Sequence, residues 1–333
     1  MKNVRAARLK NLIDRFTGKK ILVLGDVMLD EYIWGKVSRI SPEAPIPVVH
    51  VQRENALPGG AANVANNLKA LGGEVFLAGV VGTDEAARRM TKLLNSEGVN
   101  TDLLIRDASR PTITKTRVIA HSQQVVRIDR ENALPVSPRV VARLLAGIGQ
   151  QMKKVDAVII SDYNKGLLTE ALAQGVIALA RQGRKPVTGD PKPENIAKFQ
   201  GVDLISPNQM EAEKASGIRI TDRKSLHAAG AVILEKLHCR AVLITRGEEG
   251  MSLFEQGGHV SHIPTVAREV YDVSGAGDTV ISTLTLCLAA GGNFREAAVA
   301  ANCAAGITVA EVGVATTTQK ELKKRIAEEP WKS

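Results

Sequence analysis

The sequence predicts an α/β fold: a doubly wound, mainly parallel sheet flanked by helices, with a small β-sheet lid. Three observations carry this. Hydrophobic residues make up 44% of the 333, yet aromatics only 3%; that balance suits aliphatic helices packed on a parallel sheet better than a β-sandwich. From residue 137 onward, strand-like runs alternate regularly with helix-length segments, the pattern of a sheet covered on both faces. Two segments, about 31–50 and 103–130, depart from it with polar–apolar alternation and prolines. With no internal repeat and no low-complexity linker, residues 1–333 read as a single domain carrying two lid insertions.

Residues 1–18 read as an amphipathic, charged helix, and 20–26 (KILVLGD) as a buried strand ending in a glycine and an acid. Sites in parallel sheets gather at such carboxyl ends. Over 31–57, Pro42, Pro45 and Pro47 exclude a helix and the alternation indicates exposed β structure. A helix over 61–71, a strand over 75–81 and a helix over 84–97 follow. Residues 103–129 return to β character, with 112–120 and 124–129 forming a hairpin around 121–123. With 31–50 they are expected to form a small antiparallel sheet, a lid, because neither piece can bury a core alone. Next come helix 137–153, strand 155–161, helix 168–182, strand 185–190, strand 203–206, helices 209–216 and 222–237, strand 241–246 and a hairpin over 251–263. A β-like run over 267–273 leads into helices at 278–290, 294–311 and 318–328.

The formal net charge of +9 admits nucleic acid or anionic small molecules as partners. Basic residues cluster only at 2–20 and 320–332, and no aromatics interleave with them as a stacking platform; anionic metabolites are favoured and no nucleic acid is expected. No apolar run has membrane-spanning length, and residues 1–20 lack an apolar signal core. Cys239, Cys287 and Cys303 are sparse, without a CxxC pair, which indicates a reducing compartment, the cytoplasm.

The most informative motif is Asp272-Val-Ser-Gly-Ala-Gly-Asp278, opening the helix from 278. Gly275, Ala276 and Gly277 leave N–H groups bare at a helix N-terminus, where anions are favoured. Asp278 beside a bound phosphate suits a base that takes a proton from an attacking hydroxyl. Taken alone, the motif also fits a capped helix after a tight turn. A second Gly-rich turn, Pro58-Gly-Gly-Ala-Ala-Asn63, opens another helix; Gly59 and Gly60 let a ligand approach and Asn63 offers a donor and an acceptor, as a polyol requires. A tight loop with Asn63 as a cap fits equally well. Asp26 and Asp30, after the first strand, suit paired sugar hydroxyls or caps. Asn208 and Glu211 follow a strand; Glu211 suits Mg²⁺ held through water, or simply an acid in a first helical turn. Thr245-Arg-Gly247 suits nucleotide phosphate or ribose, or a plain strand-to-turn connection. Asp162-Tyr-Asn-Lys165-Gly and Asp190-Pro-Lys192 each bring a lysine to the strand ends, where an anionic substrate or simple solvation explains them. GxxxxGK[ST], HExxH and GxSxG are all missing, which excludes P-loop NTPases, metalloproteases and α/β-hydrolases.

Gly59-Gly-Ala-Ala-Asn63-Val-Ala65 with Gly72 and Gly82, and Asp272-Val-Ser-Gly-Ala-Gly-Asp278, resemble the two signatures of the PfkB (ribokinase-like) carbohydrate kinases, with Asn208–Glu211 and Thr245–Gly247 in order between them. The resemblance spans about residues 20–314. It implies an ATP-dependent kinase with Asp278 as base and the 275–277 turn as anion hole. Asp30, Gly59, Gly60 and Asn63 would hold the sugar, while Asn208, Glu211, Thr245, Gly247, Gly275 and Gly277 would face ATP and Mg²⁺. It also implies a homodimer through the lid. Val280, Thr283 and Ala61 depart from residues common in the family, which touches packing and the backbone's approach to the sugar.

Residues 38–49 (SRISPEAPIPVV), Ser161–Gly166 and Asp190–Lys192 resemble, more narrowly, the family members that phosphorylate D-glycero-β-D-manno-heptose 7-phosphate at its anomeric hydroxyl. That step leads to ADP-heptose and the lipopolysaccharide inner core. With no HxGH-type nucleotidyltransferase motif, the resemblance is to a monofunctional kinase. The substrate's own phosphate needs a cationic seat. Arg117 and Arg127 are the first candidates because guanidinium forks bind phosphate bidentately, followed by Lys115, Arg130, Lys165 and Lys192; Asp162 and Asp190 share the strand ends with them. The alternatives are another sugar or sugar-phosphate kinase of the family, or a silent sugar-sensing or nucleic-acid-binding protein.

Overall fold

The computed structural model describes residues 6–328 except 122, 268 and 312. Its frame is a nine-stranded sheet. Strand β1 (Lys20–Gly25) lies third from one edge, and the others are β4 (Glu74–Val81), β5 (Asn100–Arg106), β8 (Ala157–Ser161), β9 (Val187–Asp190), β10 (Leu204–Ile205), β11 (Ala241–Thr245), β12 (Met251–Glu255) and β13 (His259–Ile263). The order is β13-β12-β11-β10-β9-β8-β1-β4-β5. Every pair from β11 to β5 is parallel, and β12 alone runs the opposite way, pairing antiparallel with both β11 and β13.

Burial on both faces explains the apolar runs. Leu22, Leu24, Val158, Ile160, Val242 and Ile244 face one core, against helices α4 (Pro138–Gln151), α5 (Glu170–Gln182), α6 (Gln209–Ser216) and α7 (Arg223–Leu237). Val23, Leu77, Ile159 and Leu243 face the other, where α1 (Ala6–Asp14), α2 (Ala61–Ala70), α3 (Glu85–Ser96), α8 (Ala276–Ala289), α9 (Phe294–Thr308) and α10 (Gln319–Glu328) lie. Helix α8 is buried on every side from Asp278 through Cys287, with small hydroxyl residues among its aliphatic ones. Cys239, Cys287 and Cys303 are buried core residues.

The lid is a four-stranded sheet of order β3-β2-β6-β7: β2 (Val27–Ile40), β3 (Pro47–Gly60), β6 (Ile113–Ala120) and β7 (Gln123–Arg130). Five sequence expectations are corrected. Residues 103–106 belong to β5, on the edge of the main sheet, so the second lid segment begins near 113. The lid is mixed, since β2 pairs parallel to β6 from Met28↔Ile113 to Gly35↔Ala120. The run 267–273 forms no strand among its described residues, and the helix from 294 stops at 308. The first lid segment is also longer than 31–50: β2 starts two residues after β1, and β3 ends at the N-terminus of α2, so body and lid are continuous at Asp26–Asp30 and Gly59–Gly60.

Candidate active site

Two glycine-bearing connections, the turn from β3 into α2 and the turn into α8, meet beside Asn63. Gly60 adopts φ 57°, and a Cβ there would stand 2.5 Å from the Asp26 carbonyl oxygen, so only glycine lets β3 turn into α2. Gly275, the N-cap of α8, has φ 79°, and a Cβ there would crowd Asn63 Nδ2 at 3.1 Å. Gly277 differs: a Cβ would meet nothing within 4 Å. The helix therefore opens onto free space at Gly277, where first-turn N–H groups lack intrahelical acceptors. The Ala276 N–H already donates to Val273 O (3.2 Å), so its use by a phosphate requires that bond to open.

Asp278, in the first turn of α8, is buried. Asn63 Nδ2 donates to its Oδ2 (2.6 Å) and the Tyr163 hydroxyl to its Oδ1 (2.5 Å). Asn63 is itself anchored, accepting at its carbonyl oxygen from Asn67 Nδ2 (3.0 Å), while Thr279 Oγ1 donates to Asn67 Oδ1 (2.7 Å). Burial pushes the Asp278 carboxyl up to about 6, against the hydrogen bonds from Tyr163 and Asn63 and the charge of Lys192, which pull it down; Asp30 adds a smaller upward push. Such a carboxylate is ionised at neutral pH yet basic enough to accept a proton. The acid limb of kcat/KM is accordingly expected near pH 6. Below it the rate should fall about tenfold per pH unit, a slope that initial rates from pH 4.5 to 8 will show; a profile flat through pH 5 contradicts it.

On the sugar side, Asp30 is buried and its Oδ1 accepts from Arg117 Nη1 (2.6 Å). A Cβ on Gly59 would lie 2.2 Å from Asp30 Oδ2, so glycine at 59 is what allows that carboxylate its place. Arg117 and Arg127 are direct cross-strand partners, as are Lys115 and Asp129; Asp30 and Tyr32 lie opposite Lys115 and Arg117. All six thus share one face of the lid. Arg127 reaches Asp129 by Nε (2.9 Å) and Nη2 (3.1 Å), and Lys115 Nζ reaches the same carboxylate (3.0 Å). Lys165 Nζ pairs with Glu131 Oε1 (2.6 Å). Arg130 lies opposite Thr114, on the other lid face.

The loop after β8 is set by two buried acids. Asp26 accepts from the backbone N–H groups of Tyr163 (3.0 Å), Lys165 (3.1 Å) and Leu167 (3.3 Å). Asp162 accepts from the N–H groups of Asn164 and Lys192 and from Asn195 Nδ2 (3.1 and 2.9 Å). Asp162 therefore ties two loops together, and its oxygens are turned to protein donors. Asp26→Ala would strand three backbone donors, one buried and two partly buried, and about 1–3 kcal/mol of unfolding free energy should be lost; urea denaturation measures this, and a loss below about 0.5 kcal/mol contradicts it. Burial pushes the Asp190 carboxyl up to about 8, assisted by Glu211, Asp278 and Asp162 and opposed by Lys192.

On the nucleotide side, Asn208 and Glu211 form a capping box at α6: Asn208 Oδ1 accepts from the Glu211 N–H (2.9 Å), and Glu211 Oε2 accepts from the Asn208 N–H (2.9 Å). The plainer of the two sequence readings is thus realised, without removing the other, because Glu211 Oε1 still faces Lys192 Nζ (2.6 Å). Thr245 bridges to Asn208 across the parallel strand ends, and Gly247 (φ 54°) borders open space. Among the described residues no three acidic, His or Cys side chains gather as a metal cage. That donor set fits Mg²⁺ held chiefly by phosphates and water, with Glu211 as an outer acceptor.

Tyr163 is the residue whose role sequence reasoning missed. Its motif was evident, but its contact with Asp278 joins positions 115 apart in the chain. Glu131 and Asn195 were likewise invisible.

Comparison with known proteins bears on the family and the fold. Residues 18–321 match the family model described as pfkB family carbohydrate kinase. The chain is 47% identical over 319 residues to the bifunctional protein HldE of Pelobacter propionicus, covering 96% of this chain and 65% of the relative. To the bifunctional protein HldE of Geobacter metallireducens it is 49% identical over 301 residues, covering 90% and 61%. It thus spans under two thirds of these relatives' length. In fold it is similar to Arabidopsis thaliana ribokinase complexed with ribose and ATP (TM-score 0.74, 20% identity, 94% of this chain and 100% of that one). It is similar too to Escherichia coli phosphofructokinase-2 in complex with substrates and products (TM-score 0.73, 19% identity, 93% and 99%). A family match over nearly the whole chain, with a ribokinase-like fold to carry it, identifies the chain as belonging to the pfkB family of carbohydrate kinases.

Proposed function

We propose that the chain transfers the γ-phosphoryl group of ATP to the anomeric hydroxyl of D-glycero-β-D-manno-heptose 7-phosphate. The product is the 1,7-bisphosphate, on the route to ADP-heptose and the lipopolysaccharide core, and the setting is the cytoplasm. The observation that carries the phosphotransfer is the placement of Asp278: a buried carboxylate, anchored at both oxygens, beside a helix N-terminus that is open at Gly277. The substrate choice is supported by the HldE relatives and by the lid face. There Arg117 and Arg127 stand directly opposite each other. Each guanidinium is paired with a carboxylate, Asp30 or Asp129, and the dianionic 7-phosphate would join or displace those pairs on the same lid face.

In this reading the sugar lies between Asp30, Gly59, Gly60 and Asn63 and the lid, with its 7-phosphate at Arg117 and Arg127 and with Lys165 nearby. ATP lies along Asn208, Glu211, Thr245 and Gly247. Mg²⁺, when bound, neutralises charge on the phosphates. As the anomeric oxygen bonds to the γ-phosphorus, its proton passes to Asp278 and the bond from phosphorus to the β-phosphate oxygen breaks, releasing ADP. The N–H groups of the Gly275–Gly277 turn, with Gly277 foremost, stabilise the charge on the moving group. Lys192, tied to Glu211, and Asp190 sit between the two substrates. ATP consumption across a panel of sugars and sugar phosphates tests the substrate: turnover restricted to heptose 7-phosphate is expected, and equal turnover of ribose or fructose overturns the assignment.

The lid also carries the proposed homodimer contact. Val126 and Ile128 are exposed on the face opposite Arg127, beside Val118 and Thr116. Ile128→Asp is expected to shift the molar mass in solution from dimer to monomer, measured by light scattering; a dimer unchanged by that substitution contradicts this contact. Among the described residues no helix is long and apolar enough to cross a membrane.

A further inference from the structure

Tyr163 has no task in the mechanism above, yet its hydroxyl makes the shortest of the hydrogen bonds to Asp278, 2.5 Å against 2.6 Å from Asn63. Three features set it apart from a packing tyrosine. Its backbone N–H is held by the Asp26 carboxylate (3.0 Å), so the loop cannot retreat from α8. Its ring lies 5.9 Å from Lys192 Nζ, which in turn reaches Glu211 (2.6 Å), so it occupies the seam between the sugar side and the nucleotide side. Burial, with the negative charges of Asp278 and Asp190 beside it, drives its own ionisation far above the ordinary tyrosine range. It is therefore a fixed donor at any working pH and cannot itself take the substrate's proton.

We propose that Tyr163 is a positioning residue for phosphoryl transfer: its hydroxyl and the Asn63 amide each hold one oxygen of Asp278, locking the plane of the base. This rests on the assignment of Asp278 as base. An ionised carboxylate accepts at about four lone-pair positions, so each oxygen keeps a lone pair for the sugar hydroxyl after both bonds are made. When the anomeric O–H breaks, the proton bonds to Asp278 and the Tyr163 O–H stays intact. The donated bond is stronger to carboxylate than to carboxylic acid, so Tyr163 also sets how basic Asp278 is. The other groups acting on Asp278 are Asn63, Lys192 and Asp30, and Asp190 acts on Tyr163; none of these is altered by removing one phenolic oxygen.

The test is the pH profile of kcat/KM with ATP and heptose 7-phosphate for wild type, Tyr163→Phe and Asp278→Asn. Tyr163→Phe is expected to move the acid limb upward by about one pH unit or more, the usual strength of a hydrogen bond to a charged group, and to lower kcat at the plateau while KM for ATP stays within about twofold. Replacing Tyr163 with 3-fluorotyrosine, whose more acidic hydroxyl donates more strongly, is expected to move the limb downward; this arm stands even if Tyr163→Phe fails to fold. A limb that stays put in both variants overturns the positioning role. Wild-type activity in Asp278→Asn overturns the base assignment instead, and absence of wild-type turnover with this sugar overturns the substrate.

Discussion

Asp278→Asn is expected to lower kcat by at least about 10²- to 10⁴-fold, the usual worth of general-base help, while sugar affinity changes little. Asparagine keeps the size of the side chain and can still accept from Asn63 or Tyr163 through its one carbonyl oxygen, so the fold around α8 should persist. It cannot take a proton from the anomeric hydroxyl. The loss should therefore appear in kcat and kcat/KM together, the signature of an interaction realised in the transition state. Steady-state kinetics with calorimetric sugar binding separates the two quantities. Turnover within tenfold of wild type would mean that Asp278 serves only to hold Asn63 and Tyr163 in place.

Gly277→Val should produce the second largest effect, and it separates function from folding. A Cβ at 277 meets nothing within 4 Å, and Gly277 lies in the first turn of α8, where replacing glycine restricts the unfolded chain. Stability is therefore expected to be unchanged or slightly higher. The open space is where the transferring phosphoryl group would be held by first-turn N–H groups, and the valine side chain fills it. Loss of about 10²- to 10³-fold in kcat is expected, comparable to removing an oxyanion-hole donor. Gly275→Ala should behave in the opposite way. Its φ of 79° and the approach of Asn63 impose strain, so the melting temperature falls along with activity. Thermal melts and rates on the two variants give the comparison; a Gly277→Val enzyme of full activity would show that phosphate binds elsewhere.

What could be read from the sequence follows physical range. Strand β8, Ala-Val-Ile-Ile-Ser, is buried at every position, and an unbroken apolar run of that length between turn residues announces itself. The same holds for Gly59, Gly60 and Gly275, because close approach or positive φ leaves few other residues acceptable there. The Asn208–Glu211 spacing encodes a capping box, a local rule. The lid was harder. Its β2–β6 parallel pairing and the transfer of residues 103–106 to the main sheet depend on long-range register, which a half-exposed alternating segment specifies only weakly. The substrate seat was harder still. Sequence indicates that Arg117 and Arg127 are basic; only the register shows that they face each other, each with its own carboxylate. The helix-opening motif pointed to Asp278, but nothing local to residue 163 announced that a tyrosine from the loop after β8 would meet it.

The most direct measurement of the central claim is phosphorus NMR of the product formed from ATP and D-glycero-β-D-manno-heptose 7-phosphate by the wild-type protein. The account requires one new phosphate ester resonance, split by the anomeric proton, appearing together with ADP while the 7-phosphate signal persists. ATP left intact, or a phosphoryl group on any hydroxyl other than the anomeric one, would contradict it.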